Sequence, residues 1–210
     1  MRSLAIWGGS FDPVHWGHVQ VAEAAIAQVE LEAVIWVPAR CLFHKSRTGV
    51  ASFADRLHMV RLAIAHRPQF WLAPQTSDWA RSDYAIDILQ ALQVYYPHRQ
   101  WYWIAGLDAF RSLPRWYHRQ ELVAQCQWLI APRSLNSQFT TQYSCQQVER
   151  QLAQEAIALR WQILQMAEIE ISSSQIRQAQ KWGQSIGDRV PEAVARYIRE
   201  KQLYRDPPRN

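Results

Sequence analysis

Two histidines, His15 and His18, follow Gly8-Gly9-Ser10-Phe11-Asp12-Pro13 near the start of the chain. At a spacing of three, both imidazoles return to one face of the first turn of a helix. Glycines let a backbone come close to a ligand as a strand ends. N–H groups at a helix start, with imidazole donors beside them, favour a phosphate group. The stretch from Gly8 to His18 therefore reads as a nucleotide phosphate site built from Gly8, Gly9, Ser10, Phe11, His15 and His18. A plainer reading is a structural strand–turn–helix with two incidental histidines. The order strand, Gly-Gly, F-D-P, H-x-G-H, helix favours the phosphate site. Asp12 is read as part of the F-D-P turn, not as a metal ligand.

A second stretch, Ile171-Ser172-Ser173-Ser174-Gln175-Ile176-Arg177, has related chemistry. Serines before a helix cap its unpaired N–H groups. Arg177, three residues past Ser174, returns to the same face and can fork a phosphate. By itself this would be an ordinary helix cap. No Ser-His-Asp or Cys-His nucleophile set is apparent, and none is needed where one phosphate attacks another.

The elements around these residues alternate. Leu4 to Trp7 reads as a buried first strand and Val19 to Gln28 as a helix. Ala33 to Val37 is a second strand, stopped by Pro38. Phe53, Leu57, Val60 and Ile64 fall at helical spacing, as do Ala85, Leu89, Leu92 and Tyr96. Phe70 to Leu72, Gln100 to Ile104, Trp128 to Ala131 and Trp161 to Met166 read as further strands. Ser134 to Gln147 reads as a polar surface loop leading into a helix from about Gln146 to Leu159. Pro191 reads as the first residue of a final helix. Strands separated by helices imply parallel pairing. The expected fold is α/β, a Rossmann-like doubly wound parallel sheet with helices on both faces. Such a sheet binds ligands beyond the carboxyl ends of its strands, where Gly8 to His18 and Gly106-Leu107-Asp108 should lie. Residues 1–204 are expected to form a single domain, with Arg205 to Asn210 a frayed tail.

Composition excludes several classes. With 49% hydrophobic and 20% charged residues, the 210-residue chain is globular and not disordered. Its net charge of +5 comes without a basic run, which suits small polyanionic substrates better than nucleic acid. No apolar stretch reaches transmembrane length. Cys41, Cys126 and Cys145 lack C-x-x-C spacing and read as free thiols in a reducing cytoplasm. Most of the eleven tryptophans are expected to be core or surface-packing residues, with Trp116 set apart by its motif context.

Together, Gly9-Ser10-Phe11-Asp12-Pro13, His15-Trp16-Gly17-His18 and the serine-arginine stretch resemble the signatures of the H-x-G-H nucleotidylyltransferase superfamily. Its C-terminal I-S-S-x-x-I-R element holds the ATP β- and γ-phosphates. Within it the chain resembles the bacterial nicotinate mononucleotide adenylyltransferases: His44-Lys45 in its H-K pair, Gly106-Leu107-Asp108 in its G-x-D turn, Leu113-Pro114-Arg115-Trp116-Tyr117 in its P-x-W-Y element, and Val190 to Val194 with Leu203-Tyr204 in its last helix. The resemblance implies adenylyl transfer from ATP to nicotinate mononucleotide, giving deamido-NAD and pyrophosphate. It gives His15, His18 and Arg177 the catalytic contacts, and adds Gly106, Asp108, Ser173 and Ser174 to the ATP site. His44, Lys45, Tyr84, Ala85, Trp116 and Tyr117 would meet the mononucleotide, with Trp116 stacked on its ring. Mg2+ would enter on the phosphates of ATP, with no protein carboxylate named as its ligand.

Two departures stand out. Leu42-Phe43 replaces two prolines common before H-K. Asp83-Tyr84-Ala85 replaces S-Y-T, so a threonine hydroxyl near the pyridine is missing. The nearest rival activity is that of a pantetheine-phosphate adenylyltransferase, which shares H-x-G-H and the serine-rich element. A non-catalytic nucleotide or nucleic-acid binder is the rival from another class, since basic charge and aromatic side chains also suit stacking on bases.

Overall fold

The computed structural model describes residues 2–40, 49–74, 83–132, 138–167 and 170–205. The elements run β1 (Ser3–Gly9), α1 (Trp16–Val29), β2 (Ala33–Pro38), α2 (Phe53–Ile64), β3 (Phe70–Leu72), α3 (Ala85–Tyr95), β4 (Gln100–Gly106), α4 (Leu107–Ser112), a 3₁₀ turn (Leu113–Arg115), α5 (Arg119–Gln125), β5 (Cys126–Ala131), α6 (Gln138–Ala153), β6 (Trp161–Ile163), α7 (Ser173–Lys181) and α8 (Glu192–Glu200). The six strands form one parallel sheet in the order β3-β2-β1-β4-β5-β6. The order reverses between β1 and β4, which pair from Ser3 with Gln100 to Trp7 with Ile104. This is the Rossmann-like doubly wound arrangement expected from the alternation of apolar runs and helical stripes.

The chain divides into two compact units: Met1–Gly8, Val21–Val37 and Gln69–Ile169 form one, and Gly9–Gln20, Pro38–Pro68 and Glu170–Asn210 form the other. The first holds the sheet. Its strands are nearly continuous apolar runs because parallel strands are covered on both faces; every residue of β2 is buried. Along β4, Trp101, Trp103 and Ala105 alternate into one cluster with Ile6, Ile35, Phe110, Leu122 and Trp128. Trp103 and Trp128 lie 5.9 Å apart between ring centroids, and Phe110 lies 5.9 Å from Trp128. Trp7, Trp36, Trp101, Trp103 and Trp128 are buried, while Trp16, Trp71, Trp116 and Trp161 are half-buried.

Three elements have boundaries that differ from the sequence expectation. Helix α6 begins at Gln138, inside the stretch expected to be loop, and ends at Ala153 instead of Leu159. Its buried face is Thr141, Ser144, Cys145, Val148 and Leu152. Small polar residues supply half of that face, so the apolar stripe that announces a helix is faint. Strand β6 stops at Ile163, short of Met166. Pro191 caps α8 and is not its first residue. Cys126 and Cys145 are free and buried, and burial pushes both thiols up to about 12. Cys41 lies outside the described residues. Among those residues no helix is long and apolar enough to cross a membrane.

Candidate active site

Strand β1 ends at Gly9, where the chain enters the second unit. A side chain at Gly9 would put its Cβ 3.1 Å from the Phe11 ring, so this position needs glycine for closeness to Phe11 itself. At Gly8 the added atom would meet Trp103 at an ordinary 3.8 Å. Phe11 is fully buried with a left-handed backbone, φ 46°. Its ring meets the edge of His18 at 5.0 Å.

His15 and His18 come together, with ring centroids 3.7 Å apart and planes tilted by 33°. The His15 backbone N–H donates to His18 Nδ1 at 3.2 Å. An Nδ1 that accepts leaves the proton of a neutral ring on Nε2, so His18 presents Nε2–H as its donor. His15 is buried, and desolvation lowers it from 6.5 to about 4. It is therefore neutral at physiological pH, and its Nδ1 is buried without a hydrogen-bond partner among the described residues. The backbone donors of this turn are largely spent. Trp16 N–H goes to the Arg189 carbonyl at 3.0 Å and His18 N–H to the His15 carbonyl at 2.9 Å. Side chains, more than the helix-start amides expected from the sequence, remain to meet a ligand here.

In the same unit Ser172 caps α7 in a reciprocal box with Gln175. Ser173 Oγ donates to the Pro13 carbonyl at 2.9 Å. Arg177 Nη1 donates to the Asp12 carbonyl at 2.7 Å and Nη2 to Ser174 Oγ at 3.2 Å. The two sequence stretches, some 160 residues apart, thus meet at the F-D-P turn.

Asp12, Tyr204 and Arg56 join this cluster through contacts that the sequence did not announce. Asp12 is fully buried, and its Oδ1 accepts from the Tyr204 hydroxyl at 2.7 Å and the Ala51 N–H at 3.0 Å. Burial, then the Asp12 charge and hydrogen bond, raise the Tyr204 phenol far above its ordinary value. Arg56, 1% exposed, donates to the Ser10 carbonyl at 2.7 Å and the Ala51 carbonyl at 3.3 Å. A buried guanidinium needs such acceptors to offset its lost hydration.

In the first unit, Trp116 follows the 3₁₀ turn and is half-buried. Its indole N–H donates to Ser112 Oγ at 2.8 Å. Its ring meets Trp103 at 6.0 Å and Trp128 at 5.7 Å, both edge-on. Tyr117 is 53% exposed and pairs with Tyr84, 54% exposed, at 4.7 Å. Tyr84 is the N-cap residue of α3, and Ala85 is the first helical residue. Gly106 ends β4 with open space where a Cβ would be, and Asp108 lies in the first turn of α4. His44 and Lys45 lie outside the described residues.

A parallel sheet that reverses strand order after β1, with paired histidines following β1, defines a nucleotide-handling α/β class. The family model described as cytidylyltransferase-like matches residues 6–179. The chain belongs to that family, and within it to the nicotinate-nucleotide adenylyltransferases. A probable nicotinate-nucleotide adenylyltransferase of Trichormus variabilis is 43% identical over 206 residues, covering 97% of this chain and 98% of that protein. One of Gloeobacter violaceus is 36% identical over 202 residues, covering 96% and 95%. The structure of Plasmodium falciparum nicotinic acid mononucleotide adenylyltransferase complexed with NaAD shares the fold, with TM-score 0.75 at 19% identity over 97% of this chain and 98% of that one.

Proposed function

We propose that this chain transfers the adenylyl group of ATP to nicotinate mononucleotide, releasing pyrophosphate and deamido-NAD. The observation that carries this is the cluster of His15, His18, Ser173, Ser174 and Arg177 around the F-D-P turn. The acceptor's own phosphate attacks the α-phosphorus of ATP, and the bond to the leaving pyrophosphate breaks. The protein holds two polyanions in line and stabilises the shifting charge. His18 offers Nε2–H to the triphosphate. His15, neutral through burial, adds a donor without adding charge. Arg177 and the backbone N–H groups near Ser173 and Ser174 take the leaving phosphates. Gly8, Gly9, Ser10 and Phe11 shape the turn that ATP approaches, while Gly106 and Asp108 serve its nucleoside end.

Tyr84, Ala85, Trp116 and Tyr117, with His44 and Lys45, are assigned to the mononucleotide. The exposed Tyr84–Tyr117 pair and the half-buried Trp116 supply aromatic faces for a cationic pyridinium. Magnesium is the ion carried on the ATP phosphates. Among the described residues no group of three His, Cys, Asp or Glu side chains gathers to cage a metal, and the ion keeps much of its hydration. Two buried free thiols fit a reducing cytoplasm.

The test is pyrophosphate release with nicotinate mononucleotide, nicotinamide mononucleotide and phosphopantetheine under matched ATP and magnesium. Nicotinate mononucleotide is expected to have the highest kcat/KM, by about tenfold over the amide. A donor that suits a carboxylate would be left facing the NH₂ of the amide, and one such mismatch costs about 1–3 kcal/mol. Turnover of phosphopantetheine alone would move the chain to the rival activity.

A further inference from the structure

The unit that holds the histidines contains two phenol–carboxylate pairs. Tyr197 donates to Asp55 at 2.8 Å, between α8 and α2. Tyr204 donates to Asp12 at 2.7 Å, within the F-D-P turn. The first pair braces two helices. The second touches the residue that also binds Arg177.

The Asp12 carboxylate is divided in its duties. Oδ1 takes the Tyr204 hydroxyl and the Ala51 N–H. Oδ2 takes no hydrogen bond among the described residues, and stands 3.7 Å from Arg177 Nη1. That guanidinium nitrogen donates instead to the Asp12 main-chain carbonyl. The terminal torsion of an aspartate is broad and turns easily unless its oxygens are held. A freed, buried carboxylate beside a guanidinium would turn to take it in a two-pronged bond, the strong geometry for that pair. Arg177 would then be spent on Asp12 and lost to phosphate.

We propose that Tyr204 is a positioning residue for ATP: by holding Asp12 Oδ1 it keeps that carboxylate from capturing Arg177, which stays available to the phosphates. This rests on the phosphate role of Arg177 given above. Tyr204 touches no reacting atom and acts only through Asp12 and Arg177.

The test measures binding of a non-hydrolysable ATP analogue by calorimetry, with no acceptor present. Tyr204→Phe keeps the ring and drops the hydroxyl. It is expected to weaken the analogue about tenfold, the scale of a redirected charge-assisted hydrogen bond. Tyr197→Phe loses the same kind of bond elsewhere in the unit. It is expected to lower the melting temperature comparably and leave analogue affinity unchanged. In an Arg177→Ala background, Tyr204→Phe should have no further effect on affinity. Unchanged affinity in Tyr204→Phe overturns the proposal, as does an equal loss with and without Arg177. Equal loss of affinity in both tyrosine variants also overturns it, since general loosening would then account for the effect. A wild type that binds no ATP analogue overturns the adenylyl-transfer reading together with this inference. Affinity lost only in Tyr204→Phe, and only with Arg177 present, supports it.

Discussion

The histidine cluster and the aromatic cluster are built on opposite principles. Around His15 and His18, polar side chains are buried, and among the described residues His15 Nδ1 and Asp12 Oδ2 have no hydrogen bond, although Asp12 Oδ2 stands in ion-pair range of Arg177. Around Trp116 the polar atom is satisfied at home by Ser112, and Tyr84 and Tyr117 stand exposed against each other. Leaving a buried polar group without a partner costs about 1–3 kcal/mol, so it is kept where something else compensates. The first cluster is therefore organised for charge before any ligand arrives. The second offers area and shape, with little fixed polarity. In the proposed reaction, the chemistry common to many nucleotides would fall to the first, and choice of acceptor to adjustments in the second.

The sharpest way to break this contrast is His18→Ala. If the histidine cluster is organised for shifting charge, kcat should fall about 10²–10³-fold, the scale of one lost donor to a developing charge. ATP affinity should change much less. Steady-state kinetics with nicotinate mononucleotide decide it, and a near wild-type kcat removes His18 from the mechanism.

Burial of His15 gives a second test, through pH. The folded protein holds this imidazole at about 4, against an ordinary 6.5, because burial disfavours the charged form. The unfolded chain therefore takes up the proton first as pH falls. Stability from this residue is complete above about 6.5 and lost on descending through 4, by about 3 kcal/mol in all. His15→Gln cannot titrate. Its melting curve should flatten relative to wild type between those pH values, while the two run parallel above pH 7. Parallel curves throughout would mean that His15 is solvated and the cluster less preorganised than argued here.

The sequence was legible where one segment carries its own signal. The apolar runs of β1, β2, β4 and β5 and the H-x-G-H stretch needed no partner to be read. Helix α6 was misjudged because Thr141, Ser144 and Cys145 occupy positions where a larger apolar residue would have marked the stripe. The buried contacts of Tyr204 and Arg56 were hidden for another reason. Their partners, Asp12 and the Ser10 carbonyl, lie 192 and 46 residues away along the chain. A tyrosine near a C-terminus and an arginine on a helix look alike whether they face solvent or clasp a buried turn. The expectation of free amides at the start of α1 was too generous for the same reason, since the Arg189 carbonyl that consumes one comes from the far end.

The smallest expected effect probes the aromatic cluster alone. Ala85 opens α3 directly after Tyr84, whose ring pairs with Tyr117, and it stands where the resembling family has threonine. If that cluster selects by small adjustments, Ala85→Thr adds one hydroxyl that can donate to a carboxylate on the pyridine. A single neutral donor is worth about 0.5–1.5 kcal/mol, or roughly two- to tenfold. The same hydroxyl can also accept from an amide, so the net gain in acid-over-amide preference should lie at the low end, near threefold. Threonine at a helix's first position is tolerated, and no large change in stability is expected. The measurement is the ratio of kcat/KM for the two mononucleotides, with KM for ATP as the internal control. A ratio that rises while ATP kinetics hold still keeps substrate choice in the aromatic cluster. An unchanged ratio would mean that Ala85 does not face the ring, and that preference is set elsewhere. A shift in ATP kinetics instead would show the two clusters to be less separable than their construction suggests.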